Sequence, residues 1–84
     1  MTIEERVSAI TSRQDLVDLL NALILDLTEN PEGWENRTLE QFLDAAAAWL
    51  PVVDQAYRNT GREFSDDKSW KFIGELLIAA KSYE

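Results

Sequence analysis

The 84-residue chain contains no cysteine and no histidine. Without cysteine there is no disulfide framework, no thiolate metal site and no cysteine nucleophile. The absence of histidine removes the commonest general base, the usual nitrogen ligand for zinc and every Ser-His arrangement. Glycine (three) and proline (two) are scarce, so the chain is neither a linker nor a low-complexity tract. No segment approaches 18 uninterrupted apolar residues, and the opening Met1-Thr2-Ile3-Glu4-Glu5-Arg6 has no basic stretch leading into an apolar run. A cytoplasmic protein is expected. Asn36-Arg37-Thr38 fits the glycosylation acceptor pattern, which carries no weight without a secretory signal.

Bases are few as well. The net charge is −8, and nucleic acid and anionic membranes are poor partners for such a surface, since both need a basic footprint. The excess is local. Between Gln14 and Tyr57 nine acids face one base, Arg37, while the two ends of the chain hold seven of each.

What is present in quantity is apolar periodicity. The 45% hydrophobic content suits one small domain over residues 1–84, of a size that buries only about 60% of its unfolded surface. Thr2 caps a first helix over 3–10, with Glu4 and Glu5 in the turn where the helix dipole favours anions. Ser12 and Asp15 open a second helix, 13–28, in which Leu16, Leu19, Leu20, Leu23, Ile24 and Leu27 make a continuous stripe. Glu29-Asn30-Pro31-Glu32-Gly33 is turn chemistry, with Gly33 free to take a positive φ. Thr38 and Gln41 have the spacing of a reciprocal cap, and a third helix runs over 39–59, kinked at Pro51, which lacks the N–H for the Ala47 carbonyl. Gly61 suits a left-handed end to that helix. Ser65, Asp66 and Asp67 are competent caps for a fourth helix over 68–82, and Gly74 within it suggests a close helix crossing, at the alanine run Ala45 to Ala48. The fold class is all-α, a small bundle of four helices.

Trp34-Glu35-Asn36 precedes the third helix. Trp34 is expected to fold back on the core while Asn36 bonds local backbone; the alternative is an exposed anchor for a partner. Phe64 is expected to dock on the core.

For function, the candidate surface is acidic. Asp15, Asp18, Asp26 and Glu29 lie on the side of helix two away from the leucine stripe, and Glu32 and Glu35 follow. Like charges at helical spacing cost a few tenths of a kcal/mol per pair, so stability alone favours interspersed lysines. Asp15, Asp18, Asp26, Glu29, Glu32 and Glu35 are therefore the candidate protein-binding residues, for a basic protein partner. No pair of groups stands out as acid and base, and no catalytic, cofactor or metal site is expected; Asp66-Asp67 at a helix start needs no metal to explain it. Self-association through the apolar surplus of the fourth helix, including Ile78, is the alternative role, as a homodimer or structural protein.

Trp34-Glu35-Asn36, Leu39-x-x-Phe42-Leu43-x-Ala45, Trp49, Tyr57-x-Asn59-x-Gly61, Ser69-Trp70-Lys71 and Leu76-Leu77-x-Ala79-Ala80-Lys81-x-Tyr83-Glu84, in this order, resemble a family of small, mostly bacterial proteins of unknown function over about residues 12–84. The resemblance implies a compact helical domain and no assigned catalytic residues. It also implies an acidic or neutral helix residue at position 51, where this chain has Pro51. By looser analogy, small acidic bacterial domains are similar to immunity proteins that neutralise toxins.

Overall fold

Three of the helices begin where a short polar side chain takes over a backbone donor of the first turn. The computed structural model describes residues 2–83. Among these, no strand occurs; the order is α1 (Ile3–Ser8), α2 (Arg13–Glu29), a 3-10 turn (Pro31–Gly33), α3 (Leu39–Trp49), a second 3-10 turn (Leu50–Val52), α4 (Val53–Asn59) and α5 (Trp70–Ser82). The chain is all-α, as its periodicity requires.

Three helix starts match the capping expected of them. Thr2 Oγ1 accepts from the Glu5 N–H at 3.1 Å while Glu5 Oε1 accepts from the Thr2 N–H at 3.2 Å. At α2, Ser12 Oγ accepts from the Asp15 N–H at 3.1 Å. At α3, Thr38 Oγ1 accepts from the Gln41 N–H at 3.1 Å, and Gln41 Oε1 accepts from the backbone of both Thr38 (3.2 Å) and Arg37 (3.1 Å). Each such cap is worth about 1 kcal/mol.

The expected kink at Pro51 takes the form of a full 3-10 turn between α3 and α4. Proline removes one backbone donor and crowds the preceding turn, and the tighter turn absorbs both. α4 ends in a Schellman motif: the Arg62 N–H reaches the Tyr57 carbonyl at 2.9 Å and the Gly61 N–H the Arg58 carbonyl at 3.0 Å, with Gly61 at φ 73°.

The chain divides into two units, residues 1–48 and 49–84. In the first, α1 lies against α2, and the Pro31–Gly33 turn returns along the end of α2. Gly33 does not take a positive φ. A Cβ there would meet Asn30 Nδ2 at 2.8 Å, the far end of an exposed side chain. In the second unit Phe64 docks as expected, edge-on to Tyr57 with ring centroids 5.1 Å apart and tilted against Trp70 at 6.1 Å. Val53, 8% exposed, is the buried side chain of this unit.

The expected start of the last helix is corrected. Ser65, Asp66 and Asp67 do not cap α5, which starts at Trp70 after Ser69, without a side-chain cap; Ser65 Oγ instead accepts from the Asp67 N–H at 3.3 Å. Within residues 49–84, nothing lies within 4 Å of a Cβ built at Gly74.

Candidate functional site

The acidic residues are carried by α2 and the turn that follows it, and the structure separates them into two kinds. Asp15 and Asp26 are half-buried and engaged; Asp18, Glu29, Glu32 and Glu35 are exposed.

Asp15 closes the start of α2. Its Oδ2 accepts from the Thr11 N–H at 2.9 Å and the Thr11 hydroxyl at 3.2 Å. These bonds favour the carboxylate, and the Asp15 pKa lies below its ordinary value, chiefly through the Thr11 backbone N–H and then the Ser12 and Thr11 hydroxyls. Asp26 closes the other end: the Trp34 indole Nε1–H donates to its Oδ2 at 2.7 Å, a short charge-assisted bond. Trp34 thus folds back onto α2, half-buried. The local backbone bond in this loop comes from Arg37, not from Asn36 as expected: Arg37 Nε donates to the Trp34 carbonyl at 3.1 Å.

Asp18, Asp26 and Glu29 share one groove of about 470 Å³ with Leu25 of α2 and Ile3 and Arg6 of α1. Asp18 also accepts from Gln14 Nε2 at 2.9 Å. Glu32, in the 3-10 turn, and Glu35, beyond it, continue the acidic run outside that groove. Among the described residues the ion pairs are Arg58–Asp54 at 3.9 Å and Lys68–Asp67 at 3.6 Å; none of the six candidate acids takes part in either. The charge of this face is uncompensated by salt bridges.

The placement departs from a simple two-sided helix. Asp15, Ala22 and Asp26 are half-buried beside Leu16, Leu19, Leu23 and Leu27, whereas Leu20, Ile24 and Leu25, which belong to the expected apolar side or its margin, are exposed. α1 and the returning Trp34 cover a flank of α2 rotated from the centre of the leucine stripe. Asp15 and Asp26 tolerate this because each gains hydrogen bonds to offset lost hydration. The sequence signal for Asp26 was its spacing from Trp34 across the Asn30–Gly33 turn, and for Asp15 the preceding Thr11.

Beside Trp34 is a smaller hollow of about 240 Å³, walled by Leu27, Trp34, Leu39 and Phe42, with Arg37 and Thr38 at the same site. It was not foreseen. Among the described residues, no three potential metal ligands come together, and no helix is long and apolar enough to cross a membrane.

No curated protein and no solved structure matches the chain. A family model does, over residues 12–84, which includes all six candidate acids, the Trp34 loop and α2 to α5. The chain belongs to that family, described as a family of unknown function (DUF7660).

Proposed function

We propose that the protein is a non-catalytic binding module whose acidic face, Asp18, Glu29, Glu32 and Glu35 with the engaged Asp15 and Asp26 behind them, receives a basic protein. The observation that carries this reading is the run of carboxylates along α2 and its following turn, none of them in a salt bridge. Such a face steers a cationic partner and selects against anionic ones. A toxin whose own substrate site is positive is the kind of partner that fits, which makes the protein immunity-like and places its work in the bacterial cytoplasm.

The test is affinity capture from the source cell's lysate with two baits, the wild-type chain and a variant carrying Asp18→Asn, Glu29→Gln, Glu32→Gln and Glu35→Gln. A basic protein held by the wild type at low salt, released at high salt and absent from the variant supports the reading. A partner that both baits hold equally, at either salt, overturns it.

Self-association is the second reading, and the exposed Phe72, Ile73, Leu77 and Ile78 of α5 favour it. A self-associating chain must change apparent size with concentration. Unchanged size across a wide dilution series removes this reading.

A further inference from the structure

We draw no further inference here: the strongest candidate, the groove between α1 and α2 lined by Ile3, Arg6, Asp18, Leu25, Asp26 and Glu29, belongs to the acidic face already described, and nothing in the structure shows what covers it.

Discussion

The two units of the chain handle charge in opposite ways. Residues 1–48 contain ten acids and three bases, a balance of −7, and residues 49–84 contain six acids and five bases, a balance of −1. In the second unit three of the five cations have partners within it. Arg58 pairs with Asp54, the Arg62 guanidinium sits 4.1 Å from the centre of the Tyr57 ring, and Lys68 lies 5.3 Å over Phe64 and 3.6 Å from Asp67. In the first unit the polar side chains are spent on backbone caps and on Trp34, and four of its carboxylates remain exposed on one helix and its turn. Charge neutralised within a unit supports that unit; charge left open is available to a partner.

The comparison is broken most directly by moving the charge. Changing Asp18, Glu29, Glu32 and Glu35 together to their amides is expected to weaken capture of a basic partner roughly a hundredfold at low salt. Changing the exposed Glu63 and Glu75 of the second unit in the same way is expected to leave it within a factor of about three. Affinity measured for both variants checks the pair of claims.

Stability changes sharpen it next. Val53→Ala is expected to cost about 2 kcal/mol, and Ile78→Ala, at a site 69% exposed, less than about 0.5 kcal/mol; denaturant unfolding separates them. Gly61→Ala forces a side chain into the left-handed region and is expected to cost about 1–2 kcal/mol, read in the same way.

Capping distinguishes the units again. Thr38→Ala removes an observed cap and is expected to cost about 1 kcal/mol. Ser69→Ala, at a helix start whose serine makes no capping bond, is expected to stay within about 0.5 kcal/mol. Equal losses at the two sites would contradict the difference between them.

Asp15 supplies the smallest effect, through pH. Its folded pKa is depressed, so the unfolded chain binds the proton more readily, and the carboxylate contributes stability above the unfolded value near 3.8. That contribution fades as pH falls through the lower folded pKa. The wild type is therefore expected to lose stability relative to Asp15→Asn only on acidification below about pH 4, and thermal melts across that interval check it.

The helices and most of their starts were legible because their causes are local. Thr2, Ser12 and Thr38 each precede a partner at the right spacing, and Gly61 follows a helix end. The start of α5 was not, because Ser65, Asp66, Asp67 and Ser69 are all chemically competent and only folding shows that Ser65 is used within its own turn. The acidic face was legible as a charge count but not as an arrangement. Which of its carboxylates are engaged depends on Trp34 returning across the Pro31–Gly33 turn to Asp26, and no periodicity of α2 reports that return. The hollow at Leu39 and Phe42 was hidden for the same reason.

The central claim, that the first unit's open charge is what binds, is tested most directly by the salt dependence of a captured basic partner's affinity, measured from about 20 to 300 mM salt, a range that shortens the Debye length severalfold. The wild type and the Glu63→Gln, Glu75→Gln variant are expected to lose affinity steeply and in parallel, while the Asp18, Glu29, Glu32, Glu35 variant binds weakly with a shallow slope. Equal slopes for all three chains would contradict the account.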